Sequence, residues 1–198
     1  MRDQWMVVLI CVFVLAMAYV QYQRSDYFHL TCITSDVNGK KYCVRQRSKM
    51  REASDLLAET SNRLEKLVAH IKQTAPDDPI TQRIAKRFDP RKIKEILPTS
   101  QYTAYSENKG EKLALCLNTS KTDSDSDLID QNTLMYVALH ELSHVGCVSV
   151  GHNDEFWSTF RWILQHAKSI GIYKPVDYKK TNVSYCEMPL TDNPLFDM

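Results

Sequence analysis

No surplus of either charge sign marks this chain: 25 lysines and arginines stand against 24 aspartates and glutamates, for a formal net charge of +1. That excludes a global basic footprint for nucleic acid or for an anionic surface. Internal repeats and low-complexity tracts are missing as well. Cysteine is sparse, with six in 198 residues. Cys11 lies in an apolar run and the other five are an odd number, so cysteine count dictates no disulfide framework. At this length a single domain buries a core without disulfide staples. Cys32 and Cys43 flank the turn Asp36-Val37-Asn38-Gly39 and face each other on a hairpin either as thiols or as a disulfide.

Charge is wholly missing from one stretch. Between Gln4 and Gln23 there is no ionisable acid or base of the Asp, Glu, Lys or Arg type, and Trp5 to Val20 is almost entirely apolar. Eighteen helical residues span ~27 Å, close to a ~30 Å hydrocarbon core. Trp5, Tyr19 and Tyr22 stand where interfacial aromatics belong. The expectation is a single-pass transmembrane helix over residues 1–24, with one folded domain over 25–198. A cleaved signal peptide is the alternative, because Ala16-Met17-Ala18 reads as a processing site. Basic residues on the two sides (Arg2 before; Arg24, Lys40, Lys41 and Arg45 after) set no clear orientation. A cytosolic or virion-interior domain is expected; in a lumenal one the sequons at Asn118 and Asn182 would become glycan acceptors.

What the chain does have is His140-Glu141-Leu142-Ser143-His144. Residues four apart lie one above the other on a helix, so both imidazoles project from one face and can grip one metal ion. Zinc suits imidazole nitrogen, and a catalytic site uses three protein ligands with a position left open. Glu141 stands beside that position, where a carboxylate can take a proton from attacking water. Leu134, Ala138, Leu142 and Val145 form an apolar stripe, Asp130 or Asn132 can cap the start, and Gly146 is a plausible stop. The third ligand is expected at His152, after Gly151 and just before a further helical pattern. Glu155 is the carboxylate alternative and Asp154 a more remote one. The metzincin layout would need Gly and His where Cys147 and Val150 stand.

The helix motif with Gly151-His152-Asn153-Asp154-Glu155-Phe156-Trp157 resembles the WLM and SprT-like zincins. It is closer still to WLM-type metallopeptidases of large DNA viruses of eukaryotes. Val37-Asn38-Gly39-Lys40-Lys41-Tyr42-Cys43-Val44-Arg45, the run 107–112, Leu115-Cys116-Leu117 and Tyr185-Cys186-Glu187-Met188 carry that similarity. The resemblance implies a Zn²⁺-dependent peptidase with His140, His144 and His152 on the metal and a peptide or protein substrate. It also implies that the strand at 112–118 is the sheet edge on which that substrate docks; an internal strand is the alternative. Cleavage of DNA-crosslinked protein, or a non-enzymatic virion or membrane protein keeping the fold, are the other readings. Tyr185 is either a donor to a developing oxyanion or a packing residue.

The expected fold is α+β: a small antiparallel sheet with the metal-binding helix. A hairpin is expected over 27–45, then a long amphipathic helix over 48–73 ended by Pro76 and Pro79. Six basic residues between Arg83 and Lys94 read as a solvated helix surface, with Ile80, Ile84 and Phe88 on its buried side. Asp123 to Asp127 lacks the Gly and Glu of a calcium loop and reads as solvent-exposed. His70 and His166 read as surface residues. A helix over 154–170 ends at Gly171.

Overall fold

The structure, a computed structural model, describes residues 2–26, 30–123 and 125–196. The expected first residues of the hairpin, 27–29, and Ser124 of the acidic loop lie outside them. Helix α1 spans Arg2–Asp26, and every side chain from Gln4 to Val20 is exposed. The transmembrane expectation is overturned: no helix among the described residues is long and apolar enough to cross a membrane. Polar Gln4 and Gln21 bound the apolar run, leaving ~24 Å of helix against a ~30 Å hydrocarbon core. The single-pass placement, and the choice of membrane side that depended on it, fall with that helix.

Strands β1 (Leu30–Thr34) and β2 (Lys41–Arg45) form the expected hairpin. Gly39 takes the left-handed conformation its turn needs, at φ 68°. Cys32 lies opposite Cys43, and the two are joined as a disulfide. Three further strands complete the main sheet: β3 (Ile93–Glu95), β4 (Ala104–Glu107) and β5 (Lys112–Leu115). Their order is β1-β2-β3-β5-β4. The sheet is mixed, not antiparallel as expected, because β3 pairs in parallel with both β2 and β5. Parallel neighbours need a long crossover, and helices α2 (Met50–Thr74) and α3 (Pro79–Arg87) supply it between β2 and β3. The edge strand also differs from expectation. After β3 the chain runs outward to β4 and returns through a tight turn, so β5 is internal and β4 forms the edge.

Helix α2 buries Ala53, Leu57, Leu64, Leu67 and Ile71 at helical spacing. Asp78 caps α3 by accepting the Ile80 N–H, and Pro79 occupies the first turn, where a missing N–H costs nothing. Helix α4 (Gln131–Gly146) carries the metal motif and is capped by Asp130, which accepts from the Asn132 and Thr133 N–H groups. It packs against α2, α3, β4, β5 and α5 (Asp154–Ser169). A second hairpin, β6 (Val183–Tyr185) and β7 (Met188–Leu190), follows. Its turn residues Cys186 and Glu187 both have positive φ, 51° and 68°, as a two-residue hairpin turn demands.

Two buried features tie these pieces together. Glu95, fully buried on β3, accepts from the Arg45 backbone N–H and Nε, each at 2.7 Å, and pairs with Arg47. The Arg45 guanidinium also reaches Asn118 and the Lys121 carbonyl, joining the sheet to the 119–127 loop. Asn118 is itself fully buried, so in the folded chain its sequon offers no glycan site. The second tie is a Cys116–Cys186 disulfide, bridging 70 residues of sequence between the end of β5 and the β6–β7 turn. Replacing both cysteines by alanine is expected to cost about 2–4 kcal/mol of stability, measured by urea unfolding of the oxidised proteins.

Candidate metal centre

Helix α4 is apolar on nearly every side and almost wholly buried, including Leu134, Met135, Ala138, Leu139, Leu142 and Val145. A helix of that kind belongs in the core. Its polar residues therefore need a reason to be there, and His140, Glu141 and His144 all open onto one cleft. Gly146 is still helical, and its role is close packing: an added Cβ would come within 3.1 Å of Ile80 and 3.2 Å of Thr159. The helix ends instead at Cys147, in extended conformation.

From there residues 147–153 loop back to the start of α5. Gly151, at φ 89° with open space around its α-carbon, turns the chain toward α4. His152 is thereby delivered to the helix pair. Its Nε2 lies 3.0 Å from His140 Nε2 and 3.2 Å from His144 Nε2. Among the described residues, this is where three metal-ligating side chains converge, their ligand atoms within 4.8 Å of one another. Phe156 forms the floor, touching the His140, His144 and His152 rings at centroid distances of 4.7, 4.4 and 4.6 Å. Neither carboxylate alternative joins the cluster. Glu155 turns away, accepting the Val148 and Ser149 N–H groups at 2.7 and 2.9 Å.

The donor set fits zinc. A tetrahedral site with ~2.0–2.1 Å zinc–nitrogen bonds has ligand atoms about 3.3 Å apart, close to the separations found. Ligand imidazoles must be neutral. Burial, reinforced by the neighbouring rings, lowers the pKa of His140 to about 3 and of His144 to about 4. Burial pushes Glu141 the other way, up to about 8, against a backbone contact from Ser106 that lowers it.

The cleft has a volume of about 740 Å³. It is lined by residues 102–106 of β4 and its approach, by residues 188–192, and by Val150, His152 and Trp157. Tyr185 is not brought to it. That residue is fully buried, and its hydroxyl accepts the Cys116 N–H at 2.7 Å. Burial raises its pKa well above the ordinary tyrosine value. The Cys116 N–H also reaches the Thr103 carbonyl at 3.1 Å, so Tyr185→Phe removes one of two acceptors and is expected to cost about 0.5–1.5 kcal/mol, read from urea unfolding.

Several residues around the cluster escaped the sequence reading. Arg83 and Arg87 of the basic run donate to the last carbonyls of α4, Gly146 and Val145, and Arg87 also to Cys147. Lys109, in the β4–β5 turn, donates to the Cys147 and Ser149 carbonyls. The one available signal was the rule that cations gather at helix C-termini, which needs the tertiary contact to be applied.

Residues 78–183 match the family model of the WLM domain. The chain belongs to the WLM domain family. The matched stretch runs from the cap of α3 to the first residue of β6 and contains all three histidines. WLM proteins form a zincin-like metallopeptidase family that depends on zinc. Relatives of this WLM chain are viral, as its motifs led us to expect. It is 28% identical to a protein of Acanthamoeba polyphaga mimivirus over 167 residues, covering 82% of this chain and 83% of that one. It is 37% identical to a protein of Invertebrate iridescent virus 6 over 70 residues, covering 35% and 38%. Among solved structures it is similar to Wss1 from Saccharomyces cerevisiae, at 18% identity and a TM-score of 0.47, covering 63% of this chain and 83% of that one.

Proposed function

We propose that this WLM protein is a zinc-dependent peptidase in which His140, His144 and His152 hold the metal and Glu141 is the general base. One observation carries the reading: three converging imidazole nitrogens and a buried carboxylate open into a single cleft beside an edge strand. Zinc in such a set supplies Lewis acidity, polarising the scissile carbonyl and making water acidic near neutral pH.

The protein's own groups do the rest. Strand β4 pairs with β5 on one side only, and residues 102–106 present the other side to the cleft. An extended peptide adding to that edge is aligned by backbone hydrogen bonds with its carbonyl over the histidines. Glu141 neighbours His140 and keeps 6% of its surface exposed, enough to meet attacking water and little enough to hold its carboxylate out of bulk solvent. It takes the proton from that water and passes it to the departing amine. Residues 188–192 also line the cleft and help to confine the substrate.

In Glu141→Gln the three imidazoles stay in place while the base is lost. Zinc is expected to remain at one per chain by elemental analysis, and cleavage of a peptide library to fall by ~10²–10⁴-fold. Undiminished cleavage would remove Glu141 from the mechanism. No cleavage of any peptide by the zinc-loaded wild type would turn the assignment toward a binding role.

A further inference from the structure

The segment that delivers His152 has little to hold it by packing. Beyond Cys147, which is buried in the core, residues 148–153 have no regular structure, Val148 and Val150 are 68% and 85% exposed, and His152 is itself exposed. A loop without buried apolar contacts opens readily unless polar contacts restrain it. Here they converge on one carboxylate. Glu155, in the first turn of α5, accepts the Val148 N–H at 2.7 Å, the Ser149 N–H at 2.9 Å and the Ser149 hydroxyl at 2.5 Å. Two successive peptide units are thus fixed by charge-assisted bonds, the strong kind.

We propose that Glu155 is a positioning residue for the metal, a latch that holds the His144–His152 loop with His152 already turned toward the helix pair. The latch rests on the three-histidine reading above. Only Val150 and Gly151 separate the latched Ser149 from His152. On the far side Asn153 is fixed too. Its side chain caps α5 by accepting the Phe156 N–H at 3.1 Å and donates to the Ser149 hydroxyl at 2.8 Å. His152 is therefore the apex of a short arch pinned at both feet, with Gly151 supplying the reach and Glu155 the restraint. Lys109 also donates to the Cys147 and Ser149 carbonyls, so the Cys147–Val148 peptide is held at both its C=O and its N–H, and Ser149 at both of its backbone groups.

An ordinary carboxylate in a first helical turn serves its own helix dipole. Glu155 spends its oxygens on the loop instead. Low pH should not release the latch until deep in the acid range, since the Ser149 and Val148 hydrogen bonds lower the Glu155 pKa to about 2. The energetic consequence follows from preorganisation. A third ligand already held in place gives up little freedom when the metal arrives, and one on a loose loop gives up much.

The test is zinc affinity by chelator competition, with the urea midpoint of the metal-free protein measured alongside. Glu155→Gln keeps the shape but presents an amide where acceptor oxygens are needed. It is expected to weaken zinc binding by ~10–100-fold, as loss of a ligand's supporting partner does, while still binding one zinc at saturation. Ser149→Ala, which leaves the backbone bonds, should weaken it less. Leu164→Ala, a cavity in the buried face of the same helix, should lower the midpoint and leave affinity at the wild-type level. Wild-type affinity in Glu155→Gln, with His152→Ala impaired, overturns the latch. An affinity loss in Leu164→Ala equal to that of Glu155→Gln also overturns it, by reducing the effect to general stability. Wild-type affinity in His152→Ala overturns the three-histidine reading and the latch with it.

Discussion

The constraint on which this structure turns is that the helix carrying His140, Glu141 and His144 is also its core. Helix α4 touches the sheet and three other helices, so its apolar residues fix the hydrophobic interior while its polar ones are forced into a low-dielectric wall. An imidazole there cannot afford a proton, and a carboxylate there holds one more tightly. Both effects appear in His140, His144 and Glu141. Burial, reinforced by neighbouring charges, keeps His140 and His144 neutral, the form a metal ligand requires. Packing and site chemistry are thus one decision, taken by where this helix lies.

Burying the helix raises a second difficulty at its C-terminal end, where the last carbonyls have no intrahelical partner. The chain leaves the core there and returns within a few residues to bring His152 beside His140 and His144. Arg83 and Arg87 of α3 meet those carbonyls, and Lys109 of the β4–β5 turn meets the loop beyond. Gly110, next to Lys109, sits so close to α4 that an added Cβ would lie 2.7 Å from Val145. The hairpin tip can therefore press onto the helix end only with glycine at that point. Cations, glycine and the Glu155 carboxylate together hold an exit that hydrophobic contact does not reach.

What the sequence made legible was local and periodic. The helix motif, the α2 stripe, the Asn38-Gly39 turn with its flanking cysteines and the stop at Gly171 could all be read from spacing, because each is decided within a few residues. The approach of His152 to the helix pair was legible for the same reason, Gly151 and the following helix start being close in sequence. The sheet was not. Strands of three and four residues, such as β3 and β4, give no alternation long enough to see, and the parallel pairing of β3 with β2 depends on a crossover of two helices. The Cys116–Cys186 bond spans 70 residues and follows no spacing rule. The apolar N-terminal run misled through its composition: hydropathy registers how apolar a run is, whereas crossing also needs length.

The disulfide and the buried tyrosine explain why a region outside the helix motif matters to the cleft. Residues 188–192 line the cleft, yet the first three of them belong to a two-stranded hairpin, which is marginal alone in water. Its attachment lies at the other end. Cys186 bonds to Cys116, the Tyr185 hydroxyl takes the Cys116 N–H, and the Glu187 N–H reaches the Thr119 carbonyl. Three consecutive residues of the turn region thus grip the chain just beyond β5, the strand paired with the β4 edge. On the cleft side the Tyr136 hydroxyl of α4 donates to the Asp192 carbonyl, returning the free end of the hairpin to the metal helix one turn before His140. The cleft is therefore closed by a hairpin anchored once to the sheet and once to α4. Packing adds to those two anchors, because Tyr185 and Cys186 lie in the buried core and Val183 and Leu190 pack against it.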